Sequence, residues 1–149
     1  METTLKQKLT DDLRKAIRDR DKLRSSVIRL MMAAIKNAEI AKRAELEEAD
    51  ILGIITKEVR QRKESIEAFK QGNRQDLVAQ EEAELVIVKE YLPEQVSRDE
   101  IIVAARKVID EVAAQGPGDK GKVMGKLIPQ LKGKADGREI NTVVTELLG

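Results

Sequence analysis

Apolar residues recur at steps of three and four positions along most of this 149-residue chain. This step is the repeat of one face of an α-helix, whereas a half-buried strand alternates at every second residue. The first predicted helix shows it in Leu5, Leu9, Leu13, Ala16 and Ile17. The one β-prone run, at 85–88, lies inside a four-residue spacing that extends over 81–92. The spacing therefore predicts an all-α protein.

The scarcity of aromatic side chains supports the same fold class. Phe69 and Tyr91 are the only aromatic residues, and Trp is absent. Aromatic side chains are enriched in strands, so an interior of Leu, Ile, Val, Ala and Met favours helices. Charged residues of both signs are interleaved and make up 37% of the chain, which is typical of long solvated helix faces.

Pro93 divides the predicted helices into two groups. The residue before a proline is driven out of helical geometry, and Ser97 with Glu100 then has the pattern of a capping box that opens the next helix. We therefore predict an N-terminal helical domain of four helices at 1–92 and a smaller C-terminal helical domain of three helices at 93–149.

Short polar residues, glycines and prolines mark the ends of the individual helices. Helix starts are predicted where a Thr or Asp precedes an apolar face, at Thr3 or Thr4, Asp21, Asp50 and Asp119. Gly72 is predicted to end the third helix. Pro129 lies within the sixth helical pattern and is expected to kink or end that helix.

The side chains used by most catalytic and metal sites are missing. The chain has no Cys and no His, which excludes thiolate nucleophiles and the usual zinc ligands. Glu81, Glu82 and Glu84 have no second cluster of ligands, and the serine pair at 25–26 has no histidine base. We predict no catalytic residue, no metal site and no cofactor. Carboxylates and lysines alone can catalyse, so participation in an enzymatic reaction stays open.

The N-terminus and the apolar runs bear on location. Residues 1–6 lack the apolar core of a secretory signal. No apolar run approaches the roughly 20 residues that span a bilayer. The sequence thus predicts a cytoplasmic protein that does not enter a membrane.

One segment combines glycine and lysine as no other part of the chain does: Gly121, Lys122, Gly125, Lys126, Lys132, Gly133 and Lys134. Residues 119–138 carry six basic and two acidic side chains, a local net charge of +4 in a chain of net charge +1. Bare backbone near a helix N-terminus, flanked by lysines, suits a phosphate. The alternative is a seam of small residues where another helix packs closely, with the lysines merely solvated. The glycine spacing is not that of a P-loop.

A second basic cluster spans the turn between the first two helices. Residues 14–29 carry seven basic and two acidic side chains, a net charge of +5. Arg18, Lys22 and Arg29 are the candidates for a secondary contact with a polyanion, and the alternative is the charged end of a helical hairpin. A third basic group lies in the third predicted helix: Lys57, Arg60, Arg62 and Lys63. We interpret it as the solvated face of that helix.

Several motifs follow one another along the chain, at 24–31, 58–69, 81–85, 91–93, 121–125, 132–137 and Asn141. In this combination the chain resembles, over its whole length, the YqeY family of small bacterial proteins. That family is related to the tail of the B subunit of the aminoacyl-tRNA amidotransferase, and the last three motifs are the part shared with the tail. Gly137 stands where related tails often have proline, and either residue suits the start of a helix.

The resemblance implies two helical domains and a common ligand, tRNA, which the amidotransferase tail helps to hold. That enzyme is a carbon–nitrogen ligase with glutamine as the amide donor, and its catalytic site lies in a large domain that this chain lacks. The first hypothesis is therefore a non-catalytic tRNA-binding module. The second is an adaptor that docks on an amidotransferase or another translation protein through apolar surface left exposed by the C-terminal domain. The third is an amide-forming ligase that acts with missing subunits.

Overall fold

The computed structural model describes residues 4–149. Within that range the chain forms seven α-helices and no strand of a sheet, so the predicted all-α fold class is confirmed. The chain divides into two compact units, Met1–Leu92 and Pro93–Gly149. The first contains α1 (Leu5–Arg18), α2 (Lys22–Lys42), α3 (Glu48–Gln71) and α4 (Gln75–Lys89). The second contains α5 (Arg98–Val112), α6 (Lys120–Leu131) and α7 (Gly137–Leu148).

The first unit is built around apolar side chains from all four of its helices. One cluster joins Leu9 of α1, Ile28 and Met31 of α2, Ile55 of α3 and Val88 of α4, each of them completely buried. Their helices pack together because this removes these apolar side chains from water, although α2 and α4 also carry exposed apolar residues, among them Leu30 and Val86.

The second unit has its own apolar cluster. Its completely buried members include Ile101 and Val108 of α5, Leu127 of α6 and Val144 of α7. Val103 is the one large apolar side chain within residues 93–149 that lies exposed. Several other apolar side chains of this unit, among them Met124, Ile128 and Leu148, are only partly buried.

Most of the predicted helix starts are found in the structure. Thr4, Asp21 and Ser97 each accept a hydrogen bond from the backbone N–H three residues later, at 3.0 to 3.2 Å. The Glu100 carboxylate accepts from the Ser97 N–H at 3.2 Å, which completes the predicted capping box. The third helix ends at Gly72, as predicted.

The predicted start of the third helix at Asp50 is wrong. The helix begins earlier, at Glu48, and Asp50 is its third residue. From there the Asp50 carboxylate reaches back to accept from the Glu47 N–H at 3.3 Å. Asp50 thus takes the position that Glu or Gln occupies in a capping box, the third residue of the helix. An Asp before an apolar face looks the same in the sequence whether it is the cap itself or this third residue. The alternative start at Thr3 lies outside the described residues.

One expectation for the sixth helix also needs correction. Asp119 precedes α6, but its carboxylate accepts from the Gln115 N–H at 2.9 Å and does not cap the helix. α6 ends at Leu131, two residues after Pro129, so the proline lies in the last turn of the helix. Because Pro129 lies on the exposed side close to the end of the helix, its missing N–H costs one backbone hydrogen bond and leaves the buried face intact.

Candidate functional site

The two sides of α6 differ sharply. Val123, Leu127 and Leu131 are buried at a four-residue step and pack in the core of the second unit. Successive residues of a helix are turned by about 100°, so the opposite side is formed by Gly121, Lys122, Gly125 and Lys126, all of which are exposed. The burial of one face therefore displays the predicted glycine–lysine pattern on the other.

Gly121 and Gly125 are not packed against another helix. A Cβ at either position would have no heavy atom within 4 Å outside the backbone of α6 itself. The close-packing alternative is therefore wrong for the part of the chain that the structure describes. A glycine within a helix costs up to about 1 kcal/mol relative to alanine, and here no internal contact offsets that cost. The two glycines leave one turn of helix backbone open to solvent.

The open backbone of Gly121 and Gly125, which we call the bare strip, is followed one turn later by Pro129. It follows Gly125 by four residues and is exposed. Since proline has no N–H, it cannot donate to the Gly125 carbonyl as the fourth residue of a helix normally does. The carbonyl beside the bare glycine therefore lacks its usual helical donor.

The lysines around the strip are largely free of protein partners. Lys122 has 71% of its side chain exposed, and its Nζ lies 3.8 Å from Asp119 Oδ1, a loose surface pair that contributes little. Lys126, Lys132 and Lys134 are exposed and form no ion pair within residues 4–149. These positive charges are thus available to an external anion.

A fixed turn carries the last two lysines. Gly133 is buried and has φ +79°, a left-handed conformation that glycine adopts without strain. Gln95 Nε2 donates to the Gly133 carbonyl at 2.7 Å, and the Val96 N–H donates to the Lys134 carbonyl at 2.9 Å. Gly133 therefore shapes the turn and does not contribute exposed backbone. Sequence reasoning missed Gln95, because no local pattern links residues that lie 38 positions apart.

We call the exposed part of this region the α6 surface: Gly121, Lys122, Gly125, Lys126, Lys132 and Lys134. It holds six of the seven predicted site residues and is formed by one helix and the turn that follows it. Bare backbone and cations that lack buried carboxylate partners make it chemically suited to an extended anion such as a sugar-phosphate chain.

The secondary basic patch is exposed but less uniform. Arg18, Lys22 and Arg29 have no ion-pair partner among the described residues. Arg24, in the same cluster, is bound to Glu90 through Nη1 at 2.5 Å and is not free to act with them. Exposed apolar side chains also interrupt the patch, including Leu30.

The acidic residues of α4 have a structural position. Arg62 of α3 is buried, and its Nη1 lies 3.4 Å from Glu81 and 2.5 Å from Glu84. The interpretation of Arg62 as part of a solvated face is therefore wrong, since long-range pairing with α4 draws it inside. Both carboxylates contact the same guanidinium nitrogen, so the structure gives them a role in joining α3 to α4.

Two kinds of site are absent from residues 4–149. No three His, Cys, Asp or Glu side chains lie close enough together there to hold a metal ion. None of the described helices is both long and apolar enough to cross a membrane.

These features define an all-helical protein of two compact units, the second of which displays a basic surface with bare backbone. The chain matches the family described as Yqey-like protein over residues 6–148. It therefore belongs to the YqeY family.

Curated relatives of this chain include proteins named "Altered inheritance of mitochondria protein 41, mitochondrial". The protein from Lachancea thermotolerans is 45% identical over 85 residues, which cover 56% of this chain and 46% of the relative. The protein from Saccharomyces cerevisiae strain S288c is 33% identical over 142 residues, 95% of this chain and 66% of the relative. The chain thus spans about half to two thirds of the length of these relatives.

The predicted cytoplasmic location is contradicted by these relatives, which are named as mitochondrial proteins. The prediction rested on the absence of an apolar secretory signal and of a membrane-spanning run. Neither feature bears on import into mitochondria, because mitochondrial targeting segments are amphipathic and rich in arginine and not apolar.

Proposed function

We propose that this protein is a tRNA-binding module that contacts the RNA backbone through the α6 surface and performs no catalytic step of its own. The observation that carries the proposal is the exposure of Gly121 and Gly125 with no neighbour within 4 Å of a Cβ. The two glycines lower the stability of the helix, and no packing contact within the protein offsets that cost. An external ligand that approaches the backbone closely would explain them.

The chemistry of the α6 surface favours structured RNA over other anions. Its lysines lie along a helix and the following turn, as contacts to successive phosphates require, whereas a single small anion needs one compact site. No aromatic residue lies in 93–149, so bases cannot stack there as they do on single-strand binders. Proteins recognise duplex RNA mainly by its shape and its phosphates. A surface with lysines and open backbone but without aromatic residues suits that kind of recognition.

The choice of tRNA follows from the resemblance of the α6 segment to the amidotransferase tail. If the module acts as that tail does, it holds tRNA for a partner that carries out the amide-forming chemistry. A glutamine-dependent carbon–nitrogen ligase of the amidotransferase type is the partner that the resemblance suggests.

The test is the affinity for total tRNA, measured by fluorescence anisotropy for the wild type and for the triple variant Lys126→Gln/Lys132→Gln/Lys134→Gln. We expect the triple variant to bind at least about tenfold more weakly, because three phosphate contacts and their counterion release are lost. The three side chains are exposed and unpaired within the described residues, so the fold should be retained.

A matched control removes the same charge elsewhere. Lys57, Lys63 and Lys107 are also exposed and unpaired within the described residues. The triple variant Lys57→Gln/Lys63→Gln/Lys107→Gln should bind tRNA within about twofold of the wild type at the same ionic strength. Equal losses in the two variants would mean that only net charge matters, and that result would remove the α6 surface from the proposal.

A further inference from the structure

The solvent side of α2 carries a regular apolar stripe. Leu23, Leu30 and Ile40 are 40%, 53% and 65% exposed, although large apolar residues on a helix of this kind normally face the core. They belong to a line of exposed residues spaced alternately by three and four, which we call the α2 seam: Leu23, Ser26, Leu30, Ala33, Asn37 and Ile40. At about 1.5 Å per residue the seam is about 26 Å long.

Positive charges follow one edge of the α2 seam. Lys22, Arg29 and Lys36 are spaced by seven residues, are exposed and have no ion pair within residues 4–149. α2 contains five basic residues and one acidic residue, a net charge of +4. The single acid, Glu39, is bound to Lys6 and accepts from the Leu46 N–H at 2.9 Å. No free carboxylate of α2 itself therefore balances this edge.

A groove opens beside the middle of the seam. It lies between α1 and α2, has a volume of about 380 Å³ and is lined in part by Ala33 and Lys36, which belong to the seam and to its charged edge. Its apolar lining includes Leu9 and Met32. A side chain that crosses the seam could enter this groove and be anchored there.

We propose that the α2 seam is the docking surface for an acidic amphipathic helix of a partner protein. Alternating steps of three and four with charges every seventh residue are the surface pattern by which one helix packs along another. Lys22, Arg29 and Lys36 form a row along the seam. A partner helix would pair with this row if it carried one glutamate or aspartate in each heptad, beside its own apolar residues and facing the row. Asn37 within the seam is the kind of polar residue that fixes the register of two helices.

Other occupants match the seam less well. The same face of a second copy would bring the two lysine–arginine rows towards each other. A membrane-surface helix needs a broad apolar face, commonly with Trp or Phe, whereas this seam is narrow and contains Ser26 and Asn37. RNA would use the cations but would gain nothing from the exposed Leu23, Leu30 and Ile40. The charge and the apolar pattern together are satisfied by an acidic helix.

This inference is independent of RNA binding by the α6 surface, which lies on another helix. It also reassigns Lys22 and Arg29, which the sequence offered as a secondary contact for a polyanion.

The test uses the full chain and two labelled synthetic peptides of about 21 residues, or three heptads. Both have Leu and Ile at the seam positions and one Asn to face Asn37. One carries Glu at all flanking positions, and the other carries Lys there. We expect saturable binding of the Glu peptide, measured by fluorescence anisotropy, at least about tenfold tighter than that of the Lys peptide.

Charge reversal then separates pairing from a structural effect. The variant Arg29→Glu/Lys36→Glu should bind the Glu peptide more weakly and the Lys peptide more tightly than the wild type does. Partial unfolding cannot produce such a reversal of preference. The control Lys57→Glu/Lys63→Glu makes the same change in net charge on α3 and should keep the wild-type preference. Far-ultraviolet circular dichroism checks that each variant is folded.

Several results would overturn the proposal. They are equal binding of both peptides, no saturable binding of the Glu peptide, or a Glu preference that survives the reversal. Seam-dependent binding to vesicles of phosphatidylglycerol and phosphatidylcholine would assign the face to a membrane. A loss of tRNA affinity in Arg29→Glu/Lys36→Glu as large as that caused by the α6 lysine substitutions would assign it to RNA.

Discussion

Arg62 is the one charged residue that the structure buries among residues 4–149. Its Nη1 contacts two carboxylates of α4, those of Glu81 and Glu84, and the Glu84 side chain is itself only 12% exposed. A buried charge of this kind is costly to leave without its partner. The contact therefore joins α3 to α4 and makes their pairing sensitive to a single side chain.

We expect Arg62→Ala to lower the free energy of unfolding by about 3 to 5 kcal/mol, because Glu81 and Glu84 would remain without their cation. The neighbouring substitution Lys63→Ala, at an exposed position, should change it by no more than about 0.5 kcal/mol. Urea denaturation followed by circular dichroism measures both. A loss for Arg62→Ala as small as that for Lys63→Ala would show that the buried contact does not support the fold.

Tyr91 is a second residue with a distinctive environment. It is buried, and its hydroxyl donates to Asp12 Oδ2 at 2.5 Å. Burial, followed by the hydrogen bond to the Asp12 carboxylate, raises the pKa of Tyr91 above its ordinary value. The raised pKa means that Tyr91 stabilises the fold fully below about pH 10, and that this contribution is lost as the pH rises through the folded-state pKa.

Because Tyr91 is the only tyrosine and Trp is absent, its ionisation can be followed by ultraviolet absorbance without overlap. We expect tyrosinate to form well above pH 10 in the folded protein and near pH 10 in concentrated urea. Asp12→Asn should bring the folded-state titration closer to the ordinary value. Tyrosinate near pH 10 in the wild type, with the helical signal unchanged, would contradict this environment.

At the scale of the helix, local patterns predicted much of what the structure contains. The apolar step of three and four predicted the helices, and Ser97 with Glu100 predicted a cap, because both depend on residues within one or two turns. The exposure of Gly121 and Gly125 was not predictable in this way. Two glycines one turn apart fit both a packing seam, which is the commoner arrangement, and an open backbone, and only the tertiary structure distinguishes them.

The same limit explains the residues that the sequence misplaced. In the sequence, Arg62 is indistinguishable from the exposed charges of a polar helix face, and only the packing of α4 beside α3 buries it. Gln95 has no motif, yet it holds the turn at Gly133 across 38 positions. Such contacts depend on how helices pack, and periodicity within one helix does not report that.

The bare strip of α6 leads to a prediction with two opposite effects. Gly121→Ala/Gly125→Ala should raise the free energy of unfolding of the second unit by up to about 1 kcal/mol per site, since alanine favours the helix and each Cβ has open space. The same methyl groups should weaken tRNA binding, because they separate the RNA from the backbone. Urea denaturation and anisotropy titration measure the two effects.

Gly133→Ala provides the contrast, because its φ of +79° strains any other residue and the substitution should be destabilising. If Gly121→Ala/Gly125→Ala were also destabilising, the two glycines would have a structural role that the structure does not show. If tRNA affinity were unchanged, the bare backbone would have no part in RNA binding.

At the scale of the whole molecule, the charges nearly cancel. The net charge is +1, while residues 119–138 alone carry +4. A polyanion is therefore not attracted by the protein as a whole, and binding should depend on where the cations lie. This local concentration is the central claim of the account of RNA recognition.

The dependence of tRNA affinity on salt tests that claim most directly. Each phosphate neutralised adds nearly one unit to the slope of log K against log salt concentration. With Lys122, Lys126, Lys132 and Lys134 in contact, we expect a slope of about −3 for the wild type. The variant Lys126→Gln/Lys132→Gln/Lys134→Gln should give a slope close to about −1. A wild-type slope near zero, or the same slope in both proteins, would contradict RNA binding through the α6 surface.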